Sequence, residues 1–458
     1  MLKKFVCFLF ICFLVIIFPY SVQGGNFGPD EWHQYRLNHD KNAVFNNGSQ
    51  PLEFRVFKTA NEVRATPVVA GNKLFIGNHD TGELFAFDVH TGEKIWENKA
   101  PNWIHSEMIF HDGKVYVGMG NRFFQDDGIR GTGKNGVIAL NAETGDVLWQ
   151  YNTDGEVMPT PAYHNGAIYI ATGDRHLYKL DPDSGELLHK AKIGSTVSMS
   201  APNITENTLY VGGSGPLPYT FSAYDLEKDE FKWKTEFTDV IAGLDDVPPA
   251  VMDNVVVTTA VEGSYDDPEH IIYGMDTETG EILWQDNLGT GQMVKNNKSG
   301  APMIYEGKIY VGSPITKAFY AYDLKSGEKL WEFKNNIIKA PPVAQDGIVY
   351  FSNTEGYVYA MDAETGEKLA RKKLGGTLAP SGPIIINDTL IVGSQDSNVY
   401  ALPLTDFDID NDINASQAPS NKDNFTVGVN GHFSLYMIGI GLGILLVIIL
   451  VLLRKRKA

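Results

Sequence analysis

The stretch LFAFDVHTGEKIW, residues 84–96, decides the fold, because close copies of it recur along the chain. An alternating apolar segment comes first, then Asp-x-x-Thr-Gly-Glu, then a second apolar segment that ends in Trp. Alternation of this kind is typical of a half-buried strand. The Asp side chain accepts hydrogen bonds from backbone N–H groups of the turn, and Gly takes the left-handed conformation that closes it. Each copy therefore predicts a β-hairpin.

Six further copies follow the first at regular intervals. They are VIALNAETGDVLW (137–149), LYKLDPDSGELLH (177–189), FSAYDLEKDEFKW (221–233), IYGMDTETGEILW (272–284), FYAYDLKSGEKLW (319–331) and VYAMDAETGEKLA (358–370). In the fourth copy Asp229 stands in the Gly position, and Asp tolerates the left-handed conformation better than most residues. The turn accounts for the repeated aspartates, so we expect them to be structural and not catalytic.

A second unit lies between the hairpins, as in TPVVAGNKLFIGN at 66–78, and the two units together form a four-stranded blade. The Trp positions recur every 39 to 53 residues, a spacing typical of one propeller blade. An eighth first half at 380–402 lacks a Trp strand, whereas PLEFRVFKT at 51–59 is an unmatched strand with Phe54 in the Trp position. We predict an all-β, eight-bladed β-propeller in which the N-terminal strand closes the last blade and pairs its exposed edge.

The two ends of the chain carry targeting signals. Lys3 and Lys4, the apolar run at 5–18 and the small residues at 21–25 predict a signal peptide over 1–24, with an uncleaved anchor as the alternative. Residues 433–453 are uncharged and long enough for one C-terminal transmembrane helix. The basic tail at 454–458 predicts a cytoplasmic C-terminus, hence a single-pass type I protein of the cell membrane with an extracytoplasmic propeller.

The remaining boundaries follow from composition. We predict an N-terminal extension over the last blade at 25–50, the propeller at 51–405, and an acidic and polar linker at 406–432. Insertions at 121–134 in blade two and 261–270 in blade five are expected on the rim, where propeller loops carry function.

Cysteine content and charge exclude several classes of function. Cys7 and Cys12 both fall within the signal, so the mature chain has no disulfide, no thiolate metal site and no cysteine nucleophile. Of the 38 basic residues, 2 lie in the signal and 4 in the tail, which leaves 32 against 56 acidic residues, a net charge of −24. A surface of this charge disfavours nucleic acid as a partner.

The repeated Asp-x-x-Thr-Gly-Glu-x-x-Trp pattern resembles the pyrroloquinoline quinone (PQQ) enzyme repeat over roughly residues 31–403, and Trp32-x-x-Tyr35-Arg36 resembles the opening of such domains. The resemblance implies one of two branches. One comprises dehydrogenases that oxidise alcohols or sugars with PQQ and calcium in the funnel. The other comprises non-catalytic scaffold propellers, such as the outer-membrane barrel assembly lipoprotein. Because the mature chain lacks cysteine and long insertions with calcium ligands, we expect the second branch and no cofactor.

Six residues are candidates for a ligand-binding ring at the funnel mouth, because the loops that enter the innermost strands border the funnel. They are Arg64, His105, Glu107, Asp246, Lys298 and Lys339. A convergent ring of mixed charge binds a small polar ligand; the alternative is a polar mouth filled with water. We assign no catalytic residue and no metal site, since the eleven histidines are scattered singly.

Taken together, these features predict a membrane-anchored binding or scaffold propeller for protein or cell-envelope partners. The alternative is a PQQ-dependent oxidoreductase of alcohols or sugars. The sequence does not indicate an oligomeric state.

Overall fold

The computed structural model describes residues 31–409 and contains eight β-sheets. The first strands of neighbouring blades contact one another and are therefore innermost. Two strands precede the first complete blade: β1 Val44–Phe45 and β2 Arg55–Lys58. Blades one to four then comprise β3 Val68–Ala70, β4 Lys73–Gly77, β5 Glu83–Asp88, β6 Lys94–Lys99, β7 Ile109–His111, β8 Lys114–Met119, β9 Asn135–Asn141, β10 Val147–Thr153, β11 Ala162–His164, β12 Ala167–Ala171, β13 His176–Leu180, β14 Leu187–Lys192, β15 Asn203–Thr205, β16 Thr208–Gly213, β17 Tyr219–Asp225 and β18 Glu230–Phe237.

Blades five to eight repeat the same order. Their strands are β19 Ala250–Met252, β20 Val255–Gly263, β21 Pro268–Asp276, β22 Ile282–Thr290, β23 Met303–Tyr305, β24 Lys308–Ser313, β25 Ala318–Asp323, β26 Lys329–Lys334, β27 Val343–Gln345, β28 Ile348–Ser352, β29 Tyr357–Asp362, β30 Lys368–Lys373, β31 Ile384–Ile386, β32 Thr389–Ser394 and β33 Asn398–Pro403. A 3-10 turn at Leu404–Asp406 and β34 Asp408–Ile409 follow. The predicted eight-bladed propeller is thus confirmed.

The repeated turn has the structural role that the sequence predicts. Oδ1 of Asp88 accepts hydrogen bonds from the backbone N–H groups of His90 and Thr91, at 2.9 and 2.7 Å. Gly145 has a φ of 74°, and a Cβ added to it would lie 2.6 Å from the ring of Trp96 in the preceding blade. The turn glycine therefore has two roles. It closes its own hairpin, and it leaves room for the Trp of the preceding blade.

The N-terminal strand closes the ring of blades as predicted. β2 pairs antiparallel with β33, which gives blade eight its fourth strand. The residue in the Trp position is Arg55 and not Phe54, because Arg55 opposes Ala401 as Trp96 opposes Ala86. Phe54 is 50% exposed. A shift of one residue moves a side chain to the other face of a strand, which explains the error.

Arg55 takes over the packing role of the Trp in blade eight. Its side chain lies over Gly92 of blade one, as Trp96 lies over Gly145. Its Nη1 donates to the carbonyl of Thr91 at 2.6 Å, where Trp96 Nε1 donates to a turn carbonyl at 3.0 Å. The long apolar stem of Arg can cover a neighbouring sheet while its head remains polar.

The sequence predicted that the N-terminal extension lies over the last blade. In the structure it contacts seven blades. Residues 32–43 wind around the channel and bind the innermost strands of blades two to eight in turn. The partner in each strand is its middle residue: Phe110, Tyr163, Ile204, Val251, Ile304, Ala344 and Ile385. Innermost strands are sheet edges, whose backbone N–H groups need acceptors when buried. The extension supplies these acceptors and closes one end of the channel.

Apolar side chains fill the space between adjacent blades. Phe319 of blade six stacks on Phe351 of blade seven, with ring centroids 4.2 Å apart.

Two segments add to the predicted blades. At the C-terminal side, β34 pairs with β30 and adds a fifth strand to blade seven, although the sequence placed 406–409 in a linker. In blade five the predicted insertion at 261–270 extends the paired strands β20 and β21.

The predicted fold class requires one correction, because it joined the propeller to a C-terminal transmembrane helix. Within residues 31–409 the helical structure is one 3-10 turn of three residues, whereas a membrane span needs about 20. Residues 433–453 lie outside the described residues, as does the signal peptide predicted for 1–24. For residues 31–409 the corrected fold class is an eight-bladed propeller.

Candidate functional site

The loops that enter the innermost strands bring five of the six predicted ring residues to one cavity on the propeller axis. Arg64, His105, Glu107, Asp246 and Lys339 line it, together with Tyr35 and two methionines, Met158 and Met199. Lys298 does not line the cavity, but its backbone N–H donates to Oδ2 of Asp246 at 3.4 Å. The spacing of the repeat therefore predicted the position of the ring, since each blade contributes the same loop.

The floor of the cavity belongs to the N-terminal extension. The Arg36 guanidinium is fully buried and donates to the carbonyls of Lys41, Pro342 and Pro383 at 3.2, 2.6 and 2.6 Å. The backbone N–H of Arg36 donates to Oε2 of Glu107 at 2.7 Å. Glu107 is thus held between the closed end of the channel and the cavity.

The mouth of the cavity is bridged by long polar side chains from opposite blades. Arg122 in the blade-two insertion donates to Oδ1 of Asn296, which precedes blade six, at 3.2 Å. Lys339 Nζ donates to the carbonyl of the same Asn296 at 2.6 Å, and Arg64 Nη2 lies 3.5 Å from Oδ1 of Asn297. These contacts narrow the entrance and bring cationic groups to it.

Burial shifts the pKa of two of the residues that line the cavity, Glu107 and Lys339. It raises the pKa of Glu107 to about 8 against the nearby charges of Arg36 and Lys41, so the carboxyl keeps its proton near neutral pH. It lowers the pKa of Lys339 to about 8, and the charge of Arg64 adds to this effect. Perturbed pairs of this kind are typical of functional sites, although structural networks also produce them.

Two further acids at the mouth were missed by the sequence analysis. Burial and the charge of Asp246 raise the pKa of Asp245 to about 6. Burial raises the pKa of Glu156 well above its ordinary value, and neither of its oxygens has a hydrogen-bond partner among the described residues. Arg130 Nη1 lies 3.3 Å from Glu156 Oε1. Glu156 precedes the buried Val157 in its loop, a position that the repeat does not mark as facing the axis.

His105 belongs to a pair of buried histidines. Its ring stands perpendicular to that of His79, with centroids 3.7 Å apart, and the Nε2 atoms of the two rings contact each other. Burial lowers the pKa of both rings, that of His79 to about 3. Both imidazoles are therefore neutral at physiological pH, and the positive charge at the mouth comes from Arg and Lys.

The volume of the cavity limits what it can hold. It is about 40 Å³, which is room for a few water molecules. Sites for molecules as large as a tricyclic quinone measure about 300 Å³ or more, so the described conformation does not accommodate PQQ unless the mouth opens.

Three potential metal ligands meet at the other end of the channel: Glu31, His33 and His111. The sequence predicted no metal site there.

Comparison with curated proteins finds relatives of two kinds. The chain is 26% identical over 352 residues to tetrathionate hydrolase from Acidithiobacillus ferrooxidans, covering 71% of this chain and 70% of that protein. It is 24% identical over 354 residues to outer membrane protein assembly factor BamB from Yersinia pestis, covering 73% and 83%. The resemblance seen in the repeat pointed to the second kind of relative and not to the first.

Solved structures share the fold. BamB from Moraxella catarrhalis superposes with a TM-score of 0.57 at 18% identity, covering 76% of this chain and 99% of that one. Quinohemoprotein alcohol dehydrogenase from Comamonas testosteroni superposes with a TM-score of 0.62 at 13% identity, covering 88% and 83%. Both branches of the predicted family are therefore represented among the structural neighbours.

The chain's family follows from a match between its sequence and a family model. A family model described as outer membrane protein assembly factor BamB matches residues 32–128, 119–217 and 202–406, which is nearly the whole described chain. The resemblance inferred from the repeat is confirmed, and the chain belongs to this PQQ-type repeat family.

Proposed function

We propose that this chain is a binding propeller that docks a protein partner on its funnel face, in the manner that the name of its BamB relatives suggests for outer-membrane protein assembly. The observation that carries this proposal is a set of exposed apolar side chains on the loops around the mouth. They are Phe123, Phe124, Leu217 and Tyr265, which are 52%, 65%, 75% and 61% exposed. Large exposed apolar groups on one face of a protein are typical of interaction sites, and aromatic anchors often dominate the binding energy.

The topology explains why these four residues share a face. Each lies in a loop between the second and third strands of its blade, at the same end as the loops that enter the innermost strands. Direct contacts support the placement: the ring of Phe123 lies 5.4 Å from that of Trp103, and Ser214 pairs with Thr196 beside Leu217. We call these four residues the rim set.

Other exposed apolar residues need no partner to explain them. Ile95, Leu148, Leu188, Leu283 and Leu330 stand directly before the Trp position of five blades. They recur because the repeat recurs. The rim set breaks the repeat, since it lies in loops that differ in length from blade to blade, and loops are where propellers carry specific function.

The proposal is tested by site-specific photo-crosslinking in whole cells of the source organism. A photoreactive amino acid replaces Phe124 or Leu217 in the full-length chain, and a matched one replaces Leu148, which is similarly exposed but lies on an outer strand. We expect a discrete crosslinked protein from the two rim positions and none from Leu148. Equal crosslinks from all three positions, or none from the rim, contradict docking on the funnel face.

A second candidate function is favoured by the charges at the mouth and by the tetrathionate hydrolase relative. The protein is strongly acidic overall, yet Arg64 and Lys339 line the cavity, and Lys298 is near enough for its charge to act on Lys339. The nearby acid Glu107 is protonated near neutral pH. The cavity of about 40 Å³ is too small to enclose tetrathionate, so an oxoanion would bind at its entrance. The cationic side chains there would hold the anion, and the carboxyl of Glu107 would supply or accept a proton.

Two assays on the full-length protein separate this candidate from docking and from PQQ chemistry. Tetrathionate consumption that is lost in Lys339→Met but kept in Phe124→Asp supports hydrolysis in the funnel. Stoichiometric binding of PQQ with calcium, followed by cofactor absorbance and turnover of alcohols or sugars, supports the oxidoreductase. If neither activity is detected while the rim crosslinks form, docking alone accounts for the site.

A further inference from the structure

The closed end of the channel carries a cluster of three side chains whose donor atoms converge. They are Glu31 and His33 from the N-terminal extension and His111 from the end of β7. His111 Nδ1 lies 3.2 Å from His33 Nε2 and 3.1 Å from Glu31 Oε2. Glu31 Oε2 also contacts His33 Nε2. Each of the three donor atoms thus touches the other two.

The backbone explains why the three side chains meet. Trp32 and Phe110 exchange two backbone hydrogen bonds, of 3.2 and 2.9 Å, which form an antiparallel bridge between the extension and β7. In extended backbone, residues two apart point to the same side. Glu31 and His33 therefore flank the bridge on one face, and His111, next to Phe110, lies across from Glu31.

The environment holds the imidazoles in place. His33 is nearly buried, and its carbonyl accepts a hydrogen bond from the Tyr163 N–H at 2.7 Å. The ring of His111 stacks on that of Tyr163, with centroids 3.6 Å apart and an angle of 26° between the planes. Ordered rings of this kind keep their nitrogens aimed at one point, as a metal site requires.

From this geometry we propose that Glu31, His33 and His111 form a site for a divalent transition metal ion, with Zn²⁺ as the best match. Two imidazole nitrogens and one carboxylate oxygen are ligands that zinc commonly takes, with a fourth position left for water. Bonds of about 2.0–2.1 Å at a tetrahedral centre separate the ligand atoms by about 3.3 Å. Two of the three separations, 3.1 and 3.2 Å, are close to this value, whereas Glu31 Oε2 and His33 Nε2 lie closer together and would have to move apart around an ion.

The protonation of the groups is consistent with metal binding. Burial lowers the pKa of His33, which favours the neutral imidazole that a metal needs. Burial of Glu31 opposes its ionisation, yet hydrogen bonds with His33 and His111 leave its pKa below the ordinary value. A bound ion would fix the start of the extension to blade two and so strengthen the closed end of the channel.

The experiment titrates ZnCl₂ into the full-length protein, purified without a polyhistidine tag and treated with a chelator. Isothermal calorimetry and competition with a chromophoric chelator report the stoichiometry and affinity. We expect one Zn²⁺ per chain and a higher thermal midpoint in its presence. His111→Ala is expected to weaken binding by more than about 100-fold, since loss of an outer-shell partner alone costs roughly 10- to 100-fold.

Two further variants keep the test decisive. Glu31→Gln preserves the shape of the side chain and the backbone bridge, so it should fold normally and still lose most of the affinity. His164→Ala is the matched control, because His164 ends β11 as His111 ends β7 but pairs with Asn207 Oδ1 at 2.8 Å. It should bind zinc as the wild type does. The proposal is overturned if the wild type does not bind zinc. It is also overturned if His111→Ala and Glu31→Gln bind zinc as tightly as the wild type does.

Discussion

The two ends of the propeller channel differ in how they treat buried charged side chains. At the closed end the fully buried Arg36 has acceptors for its guanidinium. The extension also bonds the innermost strands of seven blades, five through its backbone and two through the side chains of Gln34 and Asn42. At the mouth, neither oxygen of the fully buried Glu156 has a hydrogen-bond partner within residues 31–409, and its charged neighbour is Arg130, whose Nη1 lies 3.3 Å from Oε1. Apolar side chains of the rim set face solvent there. Both regions belong to the same repeats, so the repeat itself does not cause the difference.

This difference indicates that the two ends of the channel have different roles. Leaving a buried polar group without a partner costs about 1–3 kcal/mol, a cost that satisfied networks avoid. Such costs persist at sites that bind or react, where the environment is arranged for a ligand instead of for stability. We therefore assign stability to the closed end and binding to the mouth, and variants at the two ends should behave differently.

The largest effect is expected at the closed end, for Arg36→Ala. The substitution leaves the carbonyls of Lys41, Pro342 and Pro383 buried without their donor, so the free energy of unfolding should fall by about 3–5 kcal/mol. Urea unfolding followed by tryptophan fluorescence measures the loss. A loss below about 1 kcal/mol would mean that the extension does not stabilise the propeller.

The next effect concerns Glu107, where the closed end meets the cavity. Its pKa is raised from about 4.5 to about 8 on folding, so its contribution to stability is full below pH 4.5 and is lost as the pH rises through 8. In Glu107→Gln this loss should disappear, so the variant gains on the wild type by up to about 1.4 kcal/mol for each pH unit across that range. Urea unfolding at pH 5, 6.5 and 8 tests it. A constant difference between the two proteins would show that Glu107 ionises normally.

A smaller effect of opposite sign to that of Arg36→Ala is expected at the mouth, for Glu156→Gln. Burial keeps this carboxyl protonated in the folded protein, so at pH 8 the wild type must protonate, on folding, a carboxylate that is ionised in the unfolded chain. The amide of Gln has the shape of the protonated form and avoids this cost. Stability at pH 8 should therefore rise by about 1 kcal/mol, and the gain should vanish below pH 4.5. Thermal unfolding at the two pH values measures it. A variant less stable than the wild type at pH 8 would place Glu156 among the structural groups.

The smallest effect is expected for Arg122→Ala, also at the mouth. Arg122 is exposed, and its contact with Asn296 spans blades two and six at 3.2 Å. Exposed polar contacts contribute little, so the change in the free energy of unfolding should stay within about 0.5 kcal/mol. The same urea experiment serves as the measurement. A loss comparable to that of Arg36→Ala would remove the distinction between the two ends.

Much of the fold was predictable because the repeat encodes local geometry. The Asp and Gly positions specify the turn, and the spacing specifies the blade and the loops that reach the axis, which is why five of six ring residues line one cavity. The Trp position in blade eight was misplaced by one residue because Phe54 is apolar and Arg55 is not. Sequence patterns do not show that the stem of an Arg can replace an indole over Gly92.

The rest of the site could not be predicted because it depends on contacts between distant segments. Nothing in the sequence near Arg36 indicates that carbonyls some 300 residues away will accept its hydrogen bonds. Likewise, His111 and the Glu31-x-His33 pair lie in separate segments, and a bridge between backbone strands brings them together. Three-dimensional closure of the ring creates both features.

The double variant Phe124→Asp/Leu217→Asp decides whether the mouth binds a protein partner while the closed end contributes stability. Its native complex size is compared with that of the wild type after gentle extraction from cells, and its thermal midpoint is measured after purification. We predict that the wild type migrates in a complex larger than the single chain, whereas the variant migrates as the chain alone with an unchanged thermal midpoint. A complex of the same size in both proteins would show that the rim set is not where the partner docks.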